Sequence, residues 1–542
     1  MACQRRKVKF LRLGGTRRDG ALRRRQRMAV LIGSAISILI SGCAVGPDFQ
    51  SPPPPLTSLS PTPLAKTVGR RGARLTYVEG LAIPQRWWEL FHCSALNSIL
   101  TRAISANPDL QAAQAALRIA DANMQAARGS FFPQIDANAG ASSQRPNPAQ
   151  TQPPGSVTSP YSVAFGQLTV SFALDVFGGN RRRVESLTAQ AEAQYFEVEA
   201  AYLTLTSKIA LAAIAEASMR EEIRSAETSV SVGRDVLGIL KQQADANEAT
   251  LVDVSTQDVA LSQFQQTLQS LKKRLAVGRN LMAALAGGFA GDGIQEKFEF
   301  ACLQLPKELP LSLPADIVRR RPDVRAAEAN MHSATAEVGV AVANRFPQFN
   351  LTASAGASTV AKFAGAWPPF LFWSIAGSAA QTLFDGMSLA QKQRAAEAGL
   401  DRSEALYRST VIAAFQNVAD VLQTIEADRR SFVVARRGME AAKVNLDRTR
   451  MLLAKRLASA VQVLNAQQLY AQASSSHAQA KAALRANSVM LFQALGGGWK
   501  GDQPRGNAWV TTVSNADHRS VLGEPGSPKN ALRSAAEEAA LR

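Results

Sequence analysis

Two segments of the chain share one spacing of apolar residues, and each begins with the same start signal. Pro108-Asp109 follows Asn107, a residue type that caps helix N-termini, and Pro322-Asp323 follows Arg321. Apolar residues then recur in steps of three and four, at Leu110, Ala113, Leu117, Ala120, Met124, Ala127 and Phe131 and at Val324, Ala327, Met331, Ala334, Val338 and Ala341. This spacing predicts helices packed side by side, although a buried stripe in a plain bundle gives the same pattern.

Both helical segments run without a gap into Phe-Pro-Gln, and there the period falls to two. The alternating apolar positions are Ile135, Ala137, Ala139 and Ala141 in the first segment and Phe349, Leu351, Ala353, Ala355 and Ala357 in the second. A second strand pattern follows each, which predicts β-hairpins over 134–177 and 348–384. The length and alternation are those of membrane β-barrel strands, while a half-buried sheet on a soluble domain alternates in the same way.

Each predicted hairpin is followed by a helical pattern of unusual length. The first runs from Arg181 to Ala246, turns at 247–250 and resumes to Leu285, and the second runs from Ala390, turns at 456–459 and resumes to Leu495. About 65 residues of helix span roughly 95 Å at 1.5 Å per residue. Helices this long without internal breakers indicate coiled coils or stacked helical barrels rather than a globular core.

The repeated order of helix, hairpin and long helical hairpin predicts an internal duplication. One chain then supplies four strands, which cannot close a barrel, and an open sheet edge is not tolerated in lipid. A closed barrel can form if several subunits each contribute their four strands, and three chains would supply twelve. The predicted fold class is therefore mostly α with a membrane β-barrel.

The net charge of +18 is concentrated at the N-terminus. Residues 1–42 contain eleven Arg and Lys and one acidic residue, Asp19. All of these charged residues lie before an apolar run of 13 residues from Met28 to Ile40. Basic and then apolar is the layout of a secretory signal, and the run is too short to span a bilayer. The charge is therefore not a nucleic-acid signal.

A Cys follows the apolar run, in Ile40-Ser41-Gly42-Cys43, which resembles a bacterial lipobox. We expect an N-acyl chain such as palmitate and an S-diacylglycerol on Cys43, and no other cofactor; an ordinary signal peptide beside a Cys is the alternative. The predicted organisation is a signal peptide over 1–42, a lipid-anchored tether and equatorial segment over 43–94, repeat one over 95–290, a connector over 291–314, repeat two over 315–499 and a disordered tail over 500–542.

Few residues offer catalytic or metal chemistry. Cys93 and Cys302 would lie in an oxidising compartment, so they either form a disulfide or remain as two free buried thiols. The four His lie in no metal-ligand spacing, and we find no nucleophile–base set, so we expect no enzyme activity. The Arg runs 181–183 and 319–321 could bind anions, but such runs more often lie on solvated faces, and for 181–183 the start of a helix just outside a membrane also fits. The Gly runs at 287–288 and 496–498 are expected to end helices.

Four motifs, in order along the chain, are similar to those of one protein family. They are the lipobox followed by Val45-Gly46-Pro47-Asp48-Phe49, the Trp-Trp-x-x-Phe at Trp87 to Phe91, Arg321-Pro322-Asp323, and Leu-Gly-Gly-Gly-Trp at 495–499. Together they resemble the outer-membrane efflux proteins, and among them the NodT- and OprM-like lipoprotein branch related to TolC. The resemblance implies a homotrimer in which a twelve-stranded barrel in outer-membrane lipid continues into a twelve-helix periplasmic tunnel.

The resemblance also implies an equatorial collar, formed by the N-terminal segment, the connector and the C-terminal end, and two sets of site residues. At the periplasmic tip, Asn247, Thr250, Arg456, Leu457 and Ser459 would contact an adaptor protein that bridges to an inner-membrane pump, although a merely solvated turn is the alternative. Where family members place acidic rings that narrow the pore, this chain has Gln462 and Asn465. A neutral ring would still constrict the pore but would hold cations less strongly.

The implied function is a passive conduit in a tripartite system that exports small toxic compounds. Two alternatives stay open: an exit duct for type I protein secretion, and a structural periplasmic lipoprotein without a pore. The sequence does not identify the exported compound, because substrate selectivity would lie largely in the inner-membrane pump.

Overall fold

The computed structural model describes residues 44–53, 67–68, 75–145, 160–306, 308–311, 318–362, 365–366 and 368–498. The predicted signal peptide, Cys43, residues 146–159 of the first hairpin loop, Trp499 and the predicted tail over 500–542 therefore lie outside the described residues. Among the helices that are described, one meets the length and composition of a membrane span, and half of its apolar window is buried within the protein, as it is in core helices.

The first half of the chain contains the predicted helix, hairpin and long helical hairpin. Its elements are α1 (Ser94–Ala106), α2 (Pro108–Arg128), β3 (Gln134–Gln144), β4 (Tyr161–Leu174), α3 (Gly179–Asp245) and α4 (Leu251–Leu285), preceded by the short strands β1 (Thr67–Val68) and β2 (Leu75–Glu79). Helix α2 begins as predicted, because the side chain of Asn107 accepts a hydrogen bond from the backbone N–H of Leu110 at 3.0 Å.

The second half has the same order and nearly the same lengths. Its elements are β5 (Glu308–Leu311), α5 (Pro322–Ala343), β6 (Gln348–Lys362), β7 (Gly365–Ala366), β8 (Phe370–Ala380), α6 (Ser388–Ala454) and α7 (Ala460–Ala494). Helices α3 and α6 both have 67 residues, and α4 and α7 both have 35. The long helices form a layer in which α3 packs against α4 and α7, and α7 packs against α6.

The two hairpins join into one antiparallel sheet in the order β3-β4-β6-β8, with β7 paired to the end of β6. Strand β4 from the first half pairs with β6 from the second along 14 residues, from Tyr161↔Lys362 to Leu174↔Phe349. Within the described chain, β3 and β8 are the edges of this sheet and have no further strand partner.

A compact core surrounds the middle of the helical layer. Trp87, Trp88 and Phe91 are almost fully buried, and Trp87 stacks on Phe492 near the end of α7 at a ring-centroid distance of 5.4 Å. Strands β1, β2 and β5 form a small sheet beside it. We call residues 75–106, 289–306 and 308–311 the girdle, because they wrap the helical layer at this level.

A disulfide between Cys93 and Cys302 joins range 75–106 of the girdle to range 289–306. Of the two states left open by the sequence, the structure therefore has the bonded one. The Gly runs end helices as predicted, with Gly287 at φ 80° after α4, and Gly496 and Gly497 at φ 89° and 68° after α7.

Candidate functional site

The free ends of the two long helical hairpins form a tip with two closely similar turns. Asn247 and Arg456 each occupy the left-handed region, at φ 56° and 61°. The next residue then reaches back to close the helix, with Glu248 N–H donating to Gln243 O at 2.7 Å and Leu457 N–H donating to Leu452 O at 2.8 Å. Of the five predicted tip residues, Asn247, Arg456 and Leu457 therefore lie in these turns, and Thr250 and Ser459 cap the helices that follow.

Each turn leads into a helix that starts with a capping box, but the two boxes differ in charge. Thr250 and Asp253 cap α4, and Ser459 and Gln462 cap α7. The hydrogen bond from the Thr250 hydroxyl, followed by the one from its backbone N–H, lowers the pKa of Asp253 from its ordinary value. The amide of Gln462 does the same capping without charge, accepting from Ser459 N–H at 2.9 Å.

The two turns are held side by side by an ion pair and an apolar cluster. Arg456 Nη1 lies 2.7 Å from Glu248 Oε1, and one to two turns away Arg450 lies 3.0 Å from Asp235. The apolar residues beneath are Val232, Val236, Leu240, Leu446, Leu453, Val463 and Ala466. Leu457 is left 72% exposed at the end of the hairpin, so an apolar side chain faces solvent at the tip.

The two predicted gate residues lie on one exposed face of α7. Gln462 and Asn465 are three residues apart and both exposed, whereas Val463 between them is buried. The side-chain oxygen of Gln462 is already engaged in the capping box, so its amide nitrogen is the part free to face a neighbour.

At the opposite end of the long helices, residues 44–53 lie along the junction between strands and helices. Val45 N–H donates to Phe177 O at 3.1 Å, and Ala44 lies against Gly178, the residue before α3. Gly46 packs directly on the backbone of Gly339 in α5, so closely that a β-carbon at Gly46 would lie 2.5 Å from that Cα.

The Arg runs were expected on solvated faces, and this expectation was wrong for Arg182 and Arg321, which are 4% and 8% exposed. Arg182 donates to the carbonyls of Val45 and Gly46 and pairs with Asp48 and Glu185, so it fastens the N-terminal segment to α3. Nothing in a run of three Arg marks which one is buried, because the partners lie far away in sequence.

Arg321 connects the start of α5 to the end of α7 in the second half of the chain. Asn107 makes the corresponding connection, from the start of α2 to the end of α4, in the first half. Arg321 Nη1 donates to Ala494 O at 2.8 Å, at the end of α7, and pairs with Asp323. Asn107 Nδ2 donates to Leu285 O at 3.0 Å, at the end of α4. In both halves the start of a short helix is thus fastened to the end of a 35-residue helix.

The register of the four-stranded sheet places one face almost entirely apolar and concentrates the polar residues on the other. Residues directly opposite on neighbouring strands share a face. One face carries Ile135, Ala137, Leu168, Val170, Phe172, Leu351, Ala353, Ala355, Leu371, Trp373 and Ile375. The other carries Gln134, Asp136, Asn138, Gln167, Thr169, Ser171, Thr352, Ser354 and Ser374, together with Val163, Phe165, Phe370 and Phe372 at one end. The apolar face is uncovered, with Leu371 87% and Trp373 76% exposed.

A sheet with open edges and a bare apolar face, continuous with helices of 67 residues, is typical of outer-membrane channel subunits. The model of the outer membrane efflux protein family matches residues 99–288 and 313–497, more than half of the chain. The chain belongs to this family.

Relatives and solved structures agree with the family. The toluene efflux pump outer membrane protein TtgC of Pseudomonas putida is 28% identical over 480 residues, which cover 85% of this chain and 94% of TtgC. Nodulation protein T of Rhizobium leguminosarum bv. trifolii is 25% identical, covering 76% and 85% of the two chains. The Campylobacter jejuni CmeC outer membrane channel has a similar fold, with a TM-score of 0.77, 18% identity and coverage of 87% and 98%.

These matches place the chain in the outer membrane, with its helices extending into the periplasm. The family and its structural neighbours are channels rather than enzymes. Among the residues that the structure describes, no group of three or more His, Cys, Asp and Glu side chains is arranged to hold a metal ion.

Proposed function

We propose that three copies of this chain form a conduit that carries small toxic compounds across the periplasm and the outer membrane. The observation that supports this best is the sheet, which has two unpaired edges in the described chain and one bare apolar face. Each chain would supply two hairpins from an internal duplication, and pairing β3 of one subunit with β8 of the next closes twelve strands. Closure removes the edges that lipid does not tolerate.

The acyl anchor on Cys43 fits this arrangement. Ala44, the next residue, is held against Gly178 at the junction of strands and helices. Acyl chains on Cys43 would therefore start at the level where an outer-membrane barrel meets the periplasm, and two or more chains are enough for stable anchoring. The anchor is tested by mass spectrometry of the mature N-terminus, with Cys43→Ser as the variant that should lose it.

The tip is the proposed contact with an adaptor protein, which would connect the conduit to an inner-membrane pump. Leu457 offers an exposed apolar side chain there, and Asn247, Thr250, Arg456 and Ser459 surround it with polar groups. An apolar centre with a polar rim is the usual composition of a protein interface. The relative TtgC is named for toluene efflux, which supports small compounds rather than a secreted protein as cargo.

Gln462 and Asn465 form the proposed constriction near the tip. Three copies would bring six amides around the axis, and amides can hold a ring closed through hydrogen bonds without binding cations as carboxylates do. Replacing both with Ala should raise single-channel conductance, while Gln304→Ala in the girdle should not. Unchanged conductance in the double variant would place the constriction elsewhere.

The whole proposal is tested in the outer-membrane fraction of a bacterium expressing the full chain. A trimer that resists detergent until heated, together with restored export in a strain that lacks its own channel, supports the conduit. A protein that stays monomeric and becomes soluble when the Cys43 lipid is removed is instead the structural lipoprotein without a pore. Export of a protein substrate but of no small compound would favour the type I secretion duct.

A further inference from the structure

The exposed face of α7 carries amides in place of charges. Its 35 residues, Ala460–Ala494, contain no Asp or Glu. The exposed polar residues are Gln462, Asn465, Gln468, Gln472 and Gln479, which recur in helical steps of three, four and seven and so form one stripe. We call these five residues the amide stripe.

The charged residues of α7 point the other way, into the girdle. Lys481 Nζ lies 2.9 Å from Glu221 and 4.6 Å from the centre of the Phe300 ring. Arg485 donates to Leu303 O at 2.8 Å and also lies over Phe300. At 3.6 residues per turn, Gln472 is on the opposite side of the helix from Lys481, and Asn465 is opposite Phe492. The amide stripe therefore faces away from the girdle.

Helix α4 of the first half repeats this division. Arg279 donates to the carbonyl of Glu296 at 3.0 Å, and Met282 is fully buried in the same core. The exposed residues on the far side of α4 include Val259, Gln263, Gln266, Ser270, Lys273, Arg274, Val277 and Leu281. This face has no acid, and its two charged residues, Lys273 and Arg274, are both cations, since Asp253 and Asp258 lie elsewhere around the helix.

If the chain forms the conduit proposed above, the position of the girdle indicates which side of the helical layer faces the lumen. A wall one helix thick has a covered side and a bare side, and a passage must stay free of the chain segments that wrap the wall. The girdle therefore lies outside, and the bare faces of α4 and α7 point inward.

On this basis, which rests on the proposed function, we propose that the amide stripe and the acid-free face of α4 line the lumen between tip and girdle as a hydrogen-bonding wall that exposes no carboxylate. Carboxylates along a narrow passage concentrate cations and repel anions, because the low-dielectric wall focuses their field. Without carboxylates on these faces, α4 and α7 raise no such barrier to anions, and Lys273 and Arg274 attract anions. This part of the wall is then suited to polar solutes that are neutral or anionic, and it does not favour cations.

The test is the reversal potential of the purified trimer in a planar lipid bilayer under a gradient of potassium chloride. We expect the wild-type channel to pass Cl⁻ at least as readily as K⁺. Gln472→Glu, which adds three carboxylates to the wall, should raise the K⁺ to Cl⁻ ratio by roughly 3- to 10-fold at about 0.1 M salt, and less at 1 M, where the Debye length is short.

Gln304→Glu is the matched control, because Gln304 is exposed on the girdle and adds the same charge outside the wall. It should leave the ratio unchanged, and Gln468→Glu provides a second lumen position if the first variant does not assemble. A wild-type channel with strong cation selectivity, or equal effects of Gln472→Glu and Gln304→Glu, overturns the assignment of the lumen wall. A trimer that does not conduct at all would instead contradict the conduit itself.

Discussion

The two halves of this molecule share helix lengths and turn geometry but differ in the chemistry that holds them. Each has a 67-residue and a 35-residue helix joined by a turn with a left-handed residue, Asn247 or Arg456. Yet the first half caps its tip with the carboxylate of Asp253, and the second uses the amide of Gln462. The first half is fastened by Asn107 at the place where the second uses a buried Arg321.

This difference shows which features the architecture needs. A capping box needs an acceptor at its third position, and a carboxylate and an amide both supply one. A helix end needs a donor for its free carbonyl, and Asn and Arg both supply one. Spacing and hydrogen-bond role are thus kept between the halves, while charge varies.

The largest expected effect concerns the covalent bond that fixes the girdle around the first half. The Cys93–Cys302 disulfide spans a sequence separation of 209 residues. The chain-entropy model predicts about 5 kcal/mol of stabilisation from a loop of this size. We expect Cys93→Ser to lower the free energy of unfolding of the solubilised protein by that amount, measured in denaturant.

The double variant Cys93→Ser/Cys302→Ser is the control, and it should match the single variant to within about 0.5 kcal/mol, because one bond is lost in both. Reductant should then have no further effect on either variant. If reductant leaves the wild-type denaturation midpoint unchanged while a thiol assay shows both cysteines reduced, the disulfide contributes nothing to the free energy of unfolding. The girdle is then held in place by its non-covalent contacts alone.

The next prediction compares Arg321 and Asn107, the residues that connect a short helix to the end of a 35-residue helix in each half. Arg321→Met leaves the Ala494 carbonyl without this donor and removes the ion pair with the half-exposed Asp323, which should cost roughly 2–3 kcal/mol. Asn107→Ala removes a cap and one neutral hydrogen bond, for about 1–2 kcal/mol. The melting temperature of the protein should therefore fall further for Arg321→Met than for Asn107→Ala.

Arg319→Met serves as the control for that comparison, since Arg319 is exposed in the same run, and we expect a change within about 0.5 kcal/mol. Equal effects at Arg319 and Arg321 would mean that the buried bond to Ala494 does not hold the second half closed.

Much of the fold could be predicted from the sequence, because periodicity and turn chemistry are local. Heptad spacing, the Phe-Pro-Gln transitions and the Gly at helix ends gave the helices and hairpins within a few residues. Long-range pairing could not be predicted in the same way. The joining of β4 to β6, the burial of Arg182 and Arg321, and the choice between a disulfide and two thiols depend on partners more than 100 residues away in sequence.

The site was predictable to a lesser degree. The turns at 247–250 and 456–459 follow from local sequence, and the structure has them at those positions. That Gln462 also caps α7 was missed, although Ser459 three residues before it is the sequence signal for a capping box. The role of Gln462 and Asn465 as a constriction stays a prediction, since it depends on the proposed assembly of three chains.

A smaller effect should separate the two tips by pH. The pKa of Asp253 is lowered in the folded chain, so its cap is present above the ordinary carboxyl pKa and is lost as pH falls through the lowered value. Gln462 does not titrate. Hydrogen exchange followed by mass spectrometry should therefore show residues 250–256 losing protection below about pH 4, relative to residues 459–465.

Exchanging the two capping residues sharpens this comparison. In the variant Asp253→Gln/Gln462→Asp the pH-dependent loss of protection should move to the second tip, because the carboxylate has moved. If both tips lose protection together in the wild type, a shared event such as loss of the Glu248–Arg456 pair governs them, and the caps do not act separately.

The smallest expected effect is the ion pair that joins the tips. Arg456 and Glu248 are 68% and 37% exposed, so solvent screens their attraction despite a separation of 2.7 Å. A double-mutant cycle with Glu248→Gln and Arg456→Gln should give a coupling energy of only about 0.5 kcal/mol. If Arg456 also contacts an adaptor, Arg456→Gln should weaken adaptor binding by more than this coupling, while Glu248→Gln should not. Equal losses of adaptor binding from the two variants would show that the ion pair only holds the two turns together. Arg456 would then make no direct contact with the adaptor.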